Sequence, residues 1–463
     1  MRIDWRENLR EYDQEHLIRF WKELDPSQQA TLADQLSKVD FDVIREVFRG
    51  GEHHTDWAAL AARAEPPPAV RLGSEPKGFT REEATAAGEE ALAKGRVAMV
   101  LAAGGQGTRL GFDQPKGMFR IGPLSSRTLF EVLIDRLRAL MRRYNASIPL
   151  YVMTSPATDA ATRLFFSEFD KFGLGEDQLR VFCQGTMPAV DADSGKILMS
   201  SKHELALSPN GHGGLLAALA KHGCLEDAGD RNIQQLFYCQ IDNPLVSVCD
   251  PTLVGIQVLS RSQILTQVVR KRFPLEKVGN VVSVDGRVRI IEYSDLPRDA
   301  AEETDASGNL KLWAGNIAVH VFERKFLEEM HADADALPFH RAHKAVPYVD
   351  EAGQLRKPDA PNALKFERFI FDLLPMAERS IVVEADAAEV FAPVKNADGA
   401  ATDTPSAAKK AISDQHKGWL RSAGVQVADD VTVEIHPRWA LDAAEVAARA
   451  DTVSPVEKDT YFH

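Results

Sequence analysis

The chain has 463 residues, with 55 Lys+Arg against 68 Asp+Glu, a formal charge of −13, and 44% hydrophobic residues. That length leaves room for about three domains and a large core, while the acidic balance argues against wrapping nucleic acid, whose affinity rests on Lys and Arg against phosphates. No run nears the ~18 apolar residues of a membrane helix, and the start Met1-Arg2-Ile3-Asp4 lacks a secretory apolar stretch. Cys183, Cys224, Cys239 and Cys249 form no CxxC pair and no zinc spacing, so a reduced, cytoplasmic setting is expected.

Residues 1–94 read as a helical N-terminal region. Asp25-Pro26-Ser27-Gln28 supplies an N-cap, a proline at the first helical position and a glutamine at N3. Leu32, Leu36 and Val39 follow at helical spacing, and Gly50-Gly51 reads as a helix stop. Pro66-Pro67-Pro68 is a stiff connector. Thr80 and Glu83 predict a capping box for a helix that Gly95 closes.

Residues 95–423 change character. The continuous apolar run from Val97 to Ala103 predicts a strand buried on both faces. Further strands are expected over 148–154, 179–184, 236–241 and 264–269, with helices over 129–142 and 215–221, so the sheet is open and mostly parallel. Asp285-Gly286 predicts a hairpin that makes the sheet mixed. Residues 397–406 read as a surface loop, and 424–463 as a small C-terminal domain with a strand near Val431 to Ile435.

Directly after the first buried strand comes Gly104-Gly105-Gln106-Gly107-Thr108-Arg109-Leu110-Gly111, whose glycines let backbone N–H groups approach a phosphate. It is not a Walker A loop, because Gly-Lys-Ser/Thr is missing. Nor is it the dinucleotide fingerprint: the third glycine is displaced to Gly111, and Pro115 interrupts the helix that should follow.

The Gly-Gly-x-Gly-Thr-Arg-Leu pattern continues through Gln114-Pro115-Lys116-Gly117, the segment 182–189, Pro209-Asn210-Gly211-His212-Gly213-Gly214, and Tyr238-Cys239-Gln240-Ile241-Asp242-Asn243. Glu292-Tyr293-Ser294, Ala314-Gly315-Asn316 and Pro393-Val394-Lys395-Asn396 follow in the same order. Over roughly 95–425 the chain resembles the eukaryotic-type UDP-N-acetylglucosamine pyrophosphorylases. The resemblance implies a Rossmann-like, GT-A-like nucleotidyltransferase domain that joins UTP to a sugar 1-phosphate and releases pyrophosphate.

Two anions must meet in such a reaction, so cations and donors aimed at the developing charge do the work. By resemblance Arg109 faces the leaving pyrophosphate, and Lys116 and Lys395 grip the α-phosphate and the sugar phosphate. Asp242, at a strand end, is the expected Mg²⁺ ligand, since that ion needs only one or two carboxylates beside phosphate oxygens. Ala103, Gly104, Gly105 and Gly211 would admit base and ribose, and Gln184 would pair with uracil. Glu292, Asn316, Gly279 and His212 would contact the sugar, with Phe369 and Phe371 walling an acetyl pocket or serving as plain core.

His212 and Cys183 depart from the family pattern, and Gly211-His212-Gly213 is similar to the related UDP-glucose pyrophosphorylases. A UDP-glucose or broad UDP-sugar pyrophosphorylase is therefore the alternative, and a UDP-sugar sensor a remote one. His53-His54 and His340-x-x-His343 lack a third metal ligand and read as structural or surface residues.

Overall fold

The computed structural model describes residues 5–50, 56–209, 211, 213–333 and 337–463. The chain forms two compact units, each gathered from three separated stretches. One comprises 1–56, 184–217 and 335–372; the other comprises 57–183, 218–334 and 373–463.

In the smaller unit the expected helix after Asp25 forms where its cap predicts it. Asp25 accepts from the N–H groups of Ser27 and Gln28, and Gln28 accepts from Asp25 N–H, starting helix Pro26–Ser37. Asp40 caps Phe41–Arg49, which Gly50 closes by donating to Glu46 O. Their apolar faces do not bury each other alone. Leu32, Leu36, Phe41 and Ile44 share a core with Val190, Ile197, Met199, Leu205 and Phe366. Gln14 locks the arrangement from inside, donating to Gly195 O and accepting from Ile197 N–H. An antiparallel sheet orders His340–Lys344, Ala363–Glu367 and Val190–Asp191.

The larger unit holds a ten-stranded sheet. Its strands, in chain order, are β1 (Ala69–Val70), β2 (Val97–Ala102), β3 (Leu150–Thr154), β4 (Leu179–Cys183) and β5 (Gln235–Gln240). β6 (Ile264–Arg270), β7 (Gly279–Val284), β8 (Arg287–Ile291), β9 (Ala314–Glu323) and β10 (Ser380–Ala385) follow. The sheet order is β1-β10-β6-β9-β5-β2-β3-β4, with the β7–β8 hairpin attached to β9. β9 runs antiparallel to both neighbours and the remaining pairs along this order are parallel, which makes the sheet mixed as the sequence implied. Every residue of β3, and all of β2 but its last, is buried, as the apolar runs require.

Helix Arg81–Ala93 starts in the predicted Thr80–Glu83 capping box, and Leu129–Tyr144 in one made by Thr128 and Glu131. The loop expected over 397–406 ends early. Thr404 caps helix Pro405–Ser422, so Pro405 and Ser406 are already helical. Beyond that helix, Val433–Ile435 pairs in parallel with Thr460–Phe462 over a small core that includes Leu420, Val425 and Val446. Among the described residues no helix is long and apolar enough to cross a membrane.

Candidate active site

Ligands in open α/β sheets lie beyond the carboxyl ends of the strands, and that is where the larger unit gathers its predicted residues. β2 and β5 are parallel neighbours in register, with Leu101 opposite Cys239 and Ala102 opposite Gln240. The glycine loop and Asp242 therefore leave the sheet side by side, and Ile241 N–H donates to Ala102 O.

No long helix follows β2. The loop folds back on itself: Gly107 N–H donates to Gln114 O, and Lys116 N–H returns to Gly105 O. Gly107 is required here, since a Cβ would stand 2.6 Å from the Phe112 ring and backbone. The doubling-back sets Lys116 Nζ 3.4 Å from Asp242 Oδ2, both side chains mostly sheltered at 17% and 14% exposure.

Lys395 reaches the same place through the main chain. Val394 N–H donates to Asp242 O, Lys395 N–H to Asp403 O, and Ala397 N–H to Arg109 O. The segment 394–397 is thus stitched to the ends of both central loops, while the Arg109 side chain is exposed. Burial raises the Asp403 carboxyl pKa, and Lys395 and Arg272 nearby oppose that rise. Ala103 is buried, and Gly104 O accepts from Ser155 Oγ at 2.7 Å.

A second cluster forms where β7 meets β9. Gly279 pairs with Asn316, and a Cβ on Gly279 would lie 3.0 Å from Glu292 Oε1 and 3.6 Å from Asn316 Cβ. Asn316 sits at a break in the β6–β9 register, and its Oδ1 accepts from Ala318 N–H. Ala318 has φ +56°, a left-handed conformation held at a bulge that aims the Asn316 side chain. Tyr238 pairs with His320, so this bulge lies toward the end of the sheet from which Asp242 departs.

In the smaller unit, Gln184 is buried immediately after β4. Gly211 has φ +78° and packs on Arg368, where a Cβ would lie 2.4 Å from Arg368 O. Gly213 N–H donates to that same carbonyl. The Gly211 turn is thereby seated on the strand end that leads to Phe369 and Phe371, whose rings stack 5.0 Å apart. His212 lies outside the described residues, as do His53 and His54. His340 pairs with Asp372 at 2.7 Å, a structural role.

Sequence reasoning missed Ser155, Asp403 and Lys271. Ser155 carries a weak signal in Ser155-x-x-Thr158, a hydroxyl motif at a strand end. Asp403 precedes a Thr-Pro helix start. Lys271 has no signal at all: it is buried, with Nζ donating to Asn280 Oδ1 at 2.6 Å and Pro274 O at 3.1 Å. Burial pushes its pKa down to about 8.

Comparison with known proteins decides what this geometry belongs to. The family described as UTP–glucose-1-phosphate uridylyltransferase matches residues 58–414. This chain belongs to that family. It is a uridylyltransferase, similar to human UDP-N-acetylhexosamine pyrophosphorylase-like protein 1 at 38% identity over 442 residues, 92% of this chain and 87% of the human one. It is also similar to the UDP-N-acetylglucosamine pyrophosphorylase of Saccharomyces cerevisiae, at 37% identity over 355 residues, 75% of this chain and 74% of the yeast one. The crystal structure of the uridine diphosphate N-acetylglucosamine pyrophosphorylase from Trypanosoma brucei in complex with an inhibitor aligns with this uridylyltransferase at a TM-score of 0.83. It shares 26% identity and covers 99% of this chain and 97% of its own.

Proposed function

We propose that this uridylyltransferase converts UTP and N-acetylglucosamine 1-phosphate to UDP-N-acetylglucosamine and pyrophosphate in the cytoplasm, using Mg²⁺. The observation that carries the reading is the meeting of Lys116, Asp242 and the Lys395 segment at the carboxyl ends of β2 and β5. A body that only bound a nucleotide sugar would not require so many phosphate-directed groups there.

In this reading Lys116 and Lys395 hold the α-phosphate of UTP against the sugar phosphate, so that a sugar-phosphate oxygen attacks the α-phosphorus. Arg109 takes up charge on the departing pyrophosphate. Gln184 reads the uracil edge, the glycines Gly104, Gly105 and Gly211 with Ala103 admit base and ribose, and Glu292, Asn316, Gly279 and His212 receive the sugar.

Asp242 is a single sheltered carboxylate with a lysine in reach, a donor set suited to a Mg²⁺ ion shared with substrate phosphates rather than caged by protein. When bound, that ion neutralises phosphate charge.

The test is a purified-enzyme screen of UTP with a panel of sugar 1-phosphates, read as pyrophosphate release. N-acetylglucosamine 1-phosphate should turn over fastest. A preference for glucose 1-phosphate would move the substrate to the UDP-glucose class, and tight UDP-sugar binding without turnover would replace the enzyme with a sensor. Asp242→Asn should abolish Mg²⁺-stimulated turnover, and retained stimulation would remove Asp242 as the ligand.

A further inference from the structure

The C-terminal segment read from sequence as a small domain reaches into the loop that follows Lys116. Glu434 is the central residue of strand Val433–Ile435 and is only 5% exposed. Its main chain pairs opposite Tyr461, but its carboxylate bonds outside that two-stranded sheet. Its Oε2 accepts from the N–H groups of Leu124 and Ser125, both at 2.7 Å, and its Oε1 accepts from Ser125 Oγ at 2.5 Å. Burying an acidic side chain is costly unless donors surround it, and here every donor comes from another part of the chain. The fit is tight: a Cβ on Gly122 would stand 2.9 Å from Glu434 Oε1 and 2.2 Å from Ser125 Oγ.

The gripped turn is short and closed. Ile121 and Gly122 N–H both donate to Arg127 O, and Ser126 N–H donates to Gly122 O. Its base is the turn that carries Lys116: Phe119 N–H donates to Lys116 O, and Leu129 N–H donates back to Phe119 O. Few freely rotating bonds therefore separate Glu434 from the main chain of Lys116.

The residues flanking Glu434 hold a different element. Val433 N–H donates to Ser413 Oγ, and Ile435 N–H donates to His416 Nδ1, both on helix Pro405–Ser422. That helix begins two residues beyond Asp403, whose carbonyl closes the Lys395 loop. One three-residue strand thus joins the segments bearing the two lysines assigned to phosphate.

We propose that Glu434 is a positioning residue for phosphoryl transfer, fixing the Lys116 turn against the Lys395 loop. The proposal rests on the functional reading above.

The test is a double-mutant cycle in the full-length enzyme, with Glu434→Gln and Lys116→Ala made singly and together, reading kcat, KM for each substrate and the thermal midpoint. Glu434→Gln should lower kcat about tenfold with KM changed less than threefold, and should cost little further in the Lys116→Ala background. Ser125→Ala, which removes a donor while leaving the C-terminal segment intact, should show the same pattern more weakly. Equal losses from Glu434→Gln in both backgrounds would overturn the proposal, as would a lowered midpoint with kcat unchanged.

If Lys116→Ala alone loses no activity, the assignment of Lys116 fails instead, and the clamp is read from amide exchange. Faster exchange over 116–125 in Glu434→Gln sustains the clamp, and unchanged exchange ends it.

Discussion

Lys116 follows Gly105 by eleven positions, yet its Cε would touch a Cβ placed on that glycine, at 3.9 Å. Only the doubled-back loop explains this, and it brings the ammonium to Asp242. Removing a donor aimed at developing charge costs about 3 kcal/mol. Lys116→Ala should accordingly lower kcat about 10²-fold, with the circular dichroism spectrum and thermal midpoint little changed. An unchanged kcat in steady-state assays would refute its role.

Lys271 makes a different residue-scale prediction. It sits beneath the Gly279–Asn316 pair through Asn280, which itself pairs with Gly315 and donates to Ile291 O. Its native pKa of about 8 lies below the free value of 10.5. Between those two values the unfolded chain binds a proton that the native state does not. Its contribution to stability therefore rises with pH over that window, and the cost of the buried charge is fully present below pH 8. Relative to Lys271→Met, urea unfolding of the parent should gain about 2 kcal/mol between pH 8 and 9.5. A flat difference would show that the ammonium is not buried in solution.

At the scale of elements, helices Arg81–Ala93 and Pro251–Ser260 pack backbone against backbone at two glycines. Gly88 and Gly255 face the partner backbones: a Cβ on Gly88 would stand 1.8 Å from Pro251 O, and one on Gly255 would stand 1.6 Å from Ala84 O. Neither obstacle is a side chain that could swing away. Gly255→Ala should cost about 3 kcal/mol, the upper range for overpacking, seen as a lower thermal midpoint and urea midpoint. Stability equal to the parent would mean that the two helices part without penalty.

This element scale is also where the sequence was most legible. Caps at Asp25 and Thr80, the apolar runs of β2 and β3, and the Asp285-Gly286 turn are local signals, readable because each acts within a few residues. The bulge at Asn316 was not legible, because it exists only through the unequal pairing of β9 with β6. Nor was the early start of helix Pro405–Ser422, although its Thr-Pro signal was present.

At the scale of the molecule, the larger unit is stapled by its own C-terminal segment, and one staple responds to acid. Burial, with Arg136 nearby, lowers the His416 pKa to about 3, against a free value of 6.5. The unfolded chain therefore takes up a proton below pH 6.5 that the native state refuses. Stability present above pH 6.5 is lost as pH falls toward 3, by about 1.4 kcal/mol per unit. Urea unfolding between pH 6.5 and 4.5 should show this slope, and His416→Asn, which retains an acceptor for Ile435 N–H, should reduce it by about one proton. An identical slope in the variant would place the acid sensitivity elsewhere.

The sequence by itself determined the buried strands, the helix starts and a glycine loop that fits neither standard nucleotide motif. Together with the family-ordered motifs, these also named Lys116, Asp242, Lys395, Gly279, Glu292 and Asn316. Only the tertiary structure decided that Lys116 folds back to Asp242, that the N-terminal helices complete their core with 184–217 and 335–372, and that Glu434 closes on Leu124 and Ser125. The division is physical. Caps, turns and apolar periodicity act over a few residues and leave a pattern in the chain, whereas these pairings join groups more than a hundred residues apart and exist only once the sheet has set their register.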